Sequence, residues 1–257
     1  MLHSAPDRTG RRNIGLESRL GPAPARFDAR PHSTLTHLVA ELAAINPDAT
    51  ALASRDESLS FLELAARQAR YGRWALGEGF AAGDGAALLM HDRPDRYALW
   101  LGLARVGMRV ALLDPALRGA RLARCLTVAE PKLLVVDPVL ADALGEVHAQ
   151  MSTPIAVRWQ GPGADFARLD REAADLSDAP LGDAEVTGPM PDDPALLLLG
   201  TDGTGRPVRV GASHGRLMSW MHGAGGCPPA FRDLVATGAS LLRGTPARIG
   251  GGLSAPC

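Results

Sequence analysis

The chain has 257 residues, of which 46% are hydrophobic, so it can bury a substantial core as one large domain or two modest ones. A net charge of −1 gives no general attraction to nucleic acid or to an anionic membrane, which excludes both as first hypotheses. No apolar run reaches the roughly 18 residues of a transmembrane segment and the N-terminus lacks the apolar core of a secretory signal, so we expect a cytoplasmic protein.

Residues 1–33 are rich in proline, arginine and glycine without hydrophobic periodicity, which predicts an irregular or disordered lead-in. A helix is predicted from Leu38 to Ile45, with Thr36 as its capping residue and Asn46-Pro47 as its stop. A short strand should follow. The next helix is the clearest, because Ser60 precedes Glu63 by three residues, which is the spacing of a capping box.

Strands and helices then alternate along the chain. Buried strands are predicted within 81–92, 108–114 and 132–137, and helices over 93–107, 116–130 and 139–151. An acidic, proline-dotted segment (153–193) leads to four leucines, Leu196 to Leu199, which are typical of a strand buried on both faces. The alternation predicts an α/β fold with a mainly parallel sheet covered by helices on both faces.

The stretch that follows the leucines, GTDGTGRPV from Gly200 to Val208, has features of a phosphate-binding loop. Its glycines allow backbone N–H groups to approach an anion, and its threonines can donate hydroxyl hydrogen bonds. A polar turn without a ligand is the alternative, because the loop carries an aspartate and Val208 stands where a cation would help. The candidate anion-binding residues are Thr201, Asp202, Gly203, Thr204, Gly205 and Arg206.

The order of these segments resembles the acyl-activating, AMP-forming synthetases, and most closely their fatty-acyl-CoA synthetase and fatty-acid transport protein branch. HDRPD (91–95) is similar to the family's NRPE segment, and LLDPALRG (112–119) is similar to LLNPNLRG. The candidate loop falls where the family carries TSGTTGxPK. Each motif is weak by itself, but the ordered series, from about Leu35 to at least Gly223, is specific.

The resemblance implies an enzyme that joins a fatty or other carboxylic acid to ATP, with magnesium, and passes the acyl group to coenzyme A. The loop departs from the family pattern at three positions. Asp202 replaces a glycine, Gly203 replaces a threonine and Val208 replaces the loop lysine. The resemblance also implies that residues 34–257 are a truncated N-terminal domain without the C-terminal domain and its catalytic lysine.

We therefore assign no catalytic residue, and two main hypotheses remain. The chain is either a synthetase portion that is inactive by itself, or a catalytically dead protein that serves as a scaffold for an acyl chain or another protein. A complete small enzyme with altered chemistry is a third, weaker alternative, because no nucleophile–base pair or metal set is visible.

Several other features favour ordinary structural roles. The three cysteines lack metal-ligand spacing, so no metal site is expected. Asp92 and Asp95 are interpreted as caps and solvated charges at a helix start, and His214 as the neighbour of a capping serine. Apolar surface near Leu234 to Leu242, left uncovered by a missing half, predicts self-association or association with another synthetase.

Overall fold

A computed structural model describes residues 34–148, 154–163, 165–182, 184–201, 207–223 and 247–248. Its helices are α1 (Leu35–Ile45), α2 (Phe61–Gly77), α3 (Pro94–Arg105), α4 (Gly119–Ala129), α5 (Ala141–His148), α6 (Leu169–Glu172) and α7 (His214–Met221). Its strands are β1 (Thr50–Ala53), β2 (Ser58–Ser60), β3 (Gly85–Leu89), β4 (Arg109–Leu113), β5 (Leu133–Val136), β6 (Ala156–Trp159), β7 (Pro194–Thr201), β8 (Pro207–Ser213) and β9 (Ala247–Arg248). The predicted lead-in and the stretch Leu234–Leu242 lie outside the described residues.

The centre of the fold is a six-stranded sheet with the order β6-β5-β3-β4-β7-β8. Its first five strands are parallel to their neighbours, and β8 alone runs antiparallel, beside β7. The predicted mainly parallel α/β fold is confirmed. A smaller sheet, β2-β1-β9, contains the short strand β2, which the sequence pattern did not predict because it has a single apolar residue.

Helices cover both faces of the large sheet, so alternate strand residues enter two separate cores. Leu88, Val110 and Leu198 belong to the core that also contains residues of α1, α2, α3 and α7. Leu89 and Leu199 belong to the core under α4 and α5. All four leucines of β7 are buried, as their apolar run predicted.

The helix α2 has the predicted capping box, in which Ser60 Oγ accepts from Glu63 N and Glu63 Oε2 accepts from Ser60 N. The start of α1 differs from the prediction. Thr34, rather than Thr36, occupies the N-cap position, and Thr36 is buried inside the first turn. Its hydroxyl lies 2.8 Å from Thr34 Oγ1. Thr34 makes no side-chain capping hydrogen bond, so α1 begins earlier than the apolar spacing indicated without the predicted cap.

The acidic segment between β6 and β7 folds back along α2 and is held there by arginines. Arg73 binds both carboxylate oxygens of Glu185, at 2.8 and 2.9 Å, and Arg70 pairs with Asp178 at 2.9 Å. These arginines alternate with the apolar residues that α2 buries. The helix therefore packs into the core on one side and binds the acidic segment on the other. None of the helices in the described ranges is long and apolar enough to cross a bilayer.

Candidate functional site

The predicted anion-binding loop connects the two strands of a β-hairpin. β7 ends at Thr201 and β8 begins at Pro207, and these two residues pair in the ladder. The candidates Asp202 to Arg206 lie between the strands, outside the described residues, so their role stays a prediction. Gly200 pairs with Val208. The position of the family's lysine therefore lies in the second strand of the hairpin and not in the connecting loop.

The hairpin directs this loop to the carboxyl edge of the parallel sheet. β7 is parallel to β4, with Leu199 beside Leu113, so β7 ends at the same edge of the sheet as β4, where the turn at Asp114 begins. In open α/β sheets, ligands bind at the carboxyl ends of the strands. The strands that flank the glycine-rich stretch therefore end and begin at the edge of the sheet where ligands bind in such folds.

A buried arginine, which the sequence analysis did not single out, lies at the same edge. Arg96 is 1% exposed, and its Nη2 donates to the carbonyl of Leu113 at 2.9 Å. Its Nε and Nη1 have no acceptor among the described residues. Burial lowers the pKa of the guanidinium, and the nearby Tyr97 and Asp92 oppose that effect. Arg96 is therefore a desolvated cation at the end of the strand beside β7.

The topological switch point lies between β3 and β5, because β3 continues to β4 on one side and β5 to β6 on the other. At this point, side chains that follow β3 and β5 bind one another. The buried Asp137 accepts from His91 N at 2.7 Å and from Arg93 Nη2 at 2.8 Å. His91 Nδ1 lies 3.3 Å from the same carboxylate. Asp137 thus binds the loop that follows β3.

Asp95 is the centre of a buried network, so the interpretation of this residue as a solvated charge is wrong. The residue is 8% exposed, and its carboxylate accepts from Tyr71 Oη at 2.6 Å, Arg67 Nη1 at 3.0 Å and Gln160 Nε2 at 2.7 Å. Burial, and then the Asp95 charge, raise the pKa of Tyr71 well above its ordinary value. The phenol therefore stays protonated and donates. The network joins α2, α3 and the end of β6.

The interpretation of His214 as the neighbour of a capping serine is confirmed. Ser213 Oγ accepts from Arg216 N at 3.3 Å and caps α7. His214 is 1% exposed, and burial lowers its pKa to about 4. Its place is the base of the β7–β8 hairpin, because Ser213 pairs with Pro194, at the opposite end from the loop.

The described carboxylates at this edge of the sheet are bound by other side chains of the protein. Asp95 and Asp137 are each hydrogen-bonded to cationic or polar side chains. Within the described ranges, no group of three or more His, Cys, Asp or Glu side chains is arranged to hold a metal ion. The loop between β7 and β8 stays the candidate site that the sequence predicted.

Comparison with known proteins gives a consistent result. The model of the AMP-binding enzyme family matches residues 39–240. Long-chain fatty acid transport protein 1 of Bos taurus is 35% identical over 144 residues, covering 54% of this chain and 22% of that protein. The same protein of Rattus norvegicus is 29% identical over 201 residues, covering 74% of this chain and 31% of that protein. The chain therefore spans less than a third of either relative.

The fold is also similar to that of a solved CoA ligase. The structure of an anthranilate CoA ligase in complex with anthranoyl-AMP superposes with a TM-score of 0.69 at 15% sequence identity. The match covers 76% of this chain and 37% of that one. At this identity the similarity shows the shared fold alone.

Proposed function

Because the chain belongs to the family of AMP-binding enzymes, we propose that it supplies the phosphate-holding part of an AMP-forming fatty-acyl-CoA synthetase. Such an enzyme joins a carboxylate to the α-phosphorus of ATP, releases pyrophosphate and transfers the acyl group to the thiol of coenzyme A. The observation that carries the proposal is the family match across the β7–β8 hairpin. The names of the relatives favour a fatty acid as the carboxylic acid.

In this proposal the loop holds the triphosphate through the backbone N–H groups of Gly203 to Gly205 and the hydroxyls of Thr201 and Thr204. Mg²⁺ would arrive bound to the triphosphate. Asp202 opposes binding, since a like charge within several ångströms of a phosphate costs about 1–4 kcal/mol in a partly desolvated site. With Val208 in place of the lysine, we expect weak nucleotide affinity and no turnover by the 257-residue chain.

The second candidate is a catalytically dead member of the family that binds an acyl chain or another protein. Two of the three replacements, Asp202 in the loop and Val208 in β8, favour it, because both changes weaken phosphate binding. We propose the cytoplasm as the location for either candidate. Association with another copy or with an intact synthetase, through the stretch Leu234–Leu242, also stays a proposal.

Nucleotide titration of the purified chain separates the two candidates. If the synthetase proposal is correct, the unmodified chain binds ATP and pyrophosphate weakly. Binding is stronger in Asp202→Gly, because this variant restores the glycine of the family pattern. The matched control is Asp48→Gly, which removes the same charge from an exposed turn before β1. Absence of ATP binding in both the unmodified chain and Asp202→Gly would favour the scaffold. If Asp48→Gly strengthens nucleotide binding as much as Asp202→Gly does, the effect is a general one of net charge, and the loop is not the binding site.

A further inference from the structure

The helix α7 is attached to the turn that precedes β7 by its first two backbone N–H groups. His214 N donates to Asp193 O at 3.1 Å, and Gly215 N donates to Pro191 O at 2.7 Å. Met190 N donates to Asp193 Oδ2 at 2.8 Å and closes that turn. We call these three hydrogen bonds the α7 latch. They hold the base of the hairpin to the segment that leads into its first strand.

His214 donates one latch hydrogen bond through its backbone, and its side chain is buried without a hydrogen bond to any described residue. His214 is 1% exposed, and neither ring nitrogen has a partner among the described residues. Neutral imidazole tolerates this environment better than imidazolium, because burial penalises the charged form most. The first turn of α7 adds a second penalty, since the N-terminus of a helix carries partial positive charge.

Burial favours the neutral form of His214 most, and two nearby charged groups act on it in opposite directions. Asp193 of the latch favours a proton on His214, and His37 of α1 opposes one by a smaller amount. Gly188 is close to both Arg105 and His37, because a Cβ built there would lie 2.6 Å from Arg105 Nη1 and 3.1 Å from His37 Cε1. On α7 itself, the Arg216 guanidinium lies 5.9 Å from the centre of the Trp220 ring.

We propose that the α7 latch is an acid-sensitive switch, in which proton uptake by His214 requires α7 to separate from residues 190–193. A protonated imidazole needs water or an acceptor on each nitrogen, and the closed latch supplies neither among the described residues. Separation hydrates the ring. It also exposes the buried side of α7, which consists of Leu217, Met218, Trp220 and Met221.

The size of the effect follows from the two pKa values of His214. The pKa is about 4 in the closed latch and 6.5, its ordinary value, once the ring is hydrated. Because the closed state has the lower pKa, it loses stability as the pH falls below 6.5, and the loss levels off near pH 4. The opening equilibrium constant should rise roughly 25-fold between pH 7.5 and pH 5.

Hydrogen–deuterium exchange of the full chain tests the switch, with rates corrected for the intrinsic pH dependence of amide exchange. Protection of a peptide spanning 213–221 should fall roughly 25-fold between pH 7.5 and pH 5. A peptide from α3 should keep its protection. His214→Gln, which does not titrate, should give α7 the same protection at both pH values. His222→Gln, at the exposed end of the same helix, should respond as the unmodified chain does.

Three results would overturn the proposal. The first is pH-independent protection of α7 in the unmodified chain, and the second is an equal fall in His214→Gln. The third is a parallel loss of protection in α3, which would mean that acid unfolds the whole domain. If His214→Gln does not fold, an NMR titration of His214 in the unmodified chain tests the proposal instead. A His214 pKa at or above the ordinary value of histidine would exclude the switch. None of these measurements depends on nucleotide binding.

Discussion

The crossing of α2 and α3 provides the sharpest test of the packing described above. The two helices approach at glycines, and a Cβ added at Gly102 would lie 2.7 Å from the backbone oxygen of Gln68. It would also lie 2.7 Å from Tyr71 Cβ and 3.1 Å from Gly72 N. Since these neighbours are backbone atoms or a Cβ, no side-chain rotation can relieve the contacts. Gly102→Ala should force the helices apart.

The expected cost combines two opposing effects. Overpacking of a close-packed interior costs about 1–3 kcal/mol, while replacing a helical glycine with alanine gains about 1 kcal/mol. Helix separation would also strain the hydrogen bond from Tyr71 to Asp95 and the one from Gln68 Nε2 to Thr36 O. Each such bond contributes about 1 kcal/mol. We therefore expect a net loss of about 2 kcal/mol in the free energy of unfolding, or about 4–8 °C in Tm.

Thermal and urea unfolding, followed by far-UV circular dichroism at one protein concentration, measure this loss. The matched control is Gly77→Ala at the end of α2, where an added Cβ meets nothing within 4 Å. That variant should be as stable as the unmodified chain or more stable, by up to about 1 kcal/mol. Unchanged stability of Gly102→Ala, or an equal loss in Gly77→Ala, would refute the close-approach argument.

Three further predictions concern the polar groups. Tyr71→Phe should lower the free energy of unfolding by about 1–2 kcal/mol, because it removes a donor from the buried Asp95 carboxylate; an unchanged urea midpoint would contradict this. Between pH 7 and pH 5, protonation of His214 in the unfolded chain should remove about 2 kcal/mol of stability, and His214→Gln should show a flatter pH profile in urea titrations. The unmodified chain should catalyse no carboxylate-dependent exchange of pyrophosphate into ATP, and Val208→Lys alone should not restore it, since such residues act as a unit; acyl-adenylate formed with any fatty acid would disprove this.

The amino-acid sequence by itself determined the elements whose signals are local. The capping box at Ser60 and Glu63 specifies the start of α2 through residues three positions apart. The apolar run Leu196 to Leu199 specifies a strand buried on both faces, and the alternation of such runs with helices specifies a parallel sheet. The glycine- and threonine-rich stretch after that strand identified the candidate loop by its composition and order.

Only the tertiary structure decided which polar residues are buried and what they bind. Asp95 reads as a solvated charge because its partners Tyr71 and Gln160 lie 24 and 65 positions away in the chain. Arg96 and His214 are likewise buried, and neither periodicity nor a motif indicates that burial. Strand order has the same origin, since parallel neighbours are joined through crossovers whose path depends on the packing of whole helices. Burial of a charge is a property of these long-range contacts, and local sequence does not encode it.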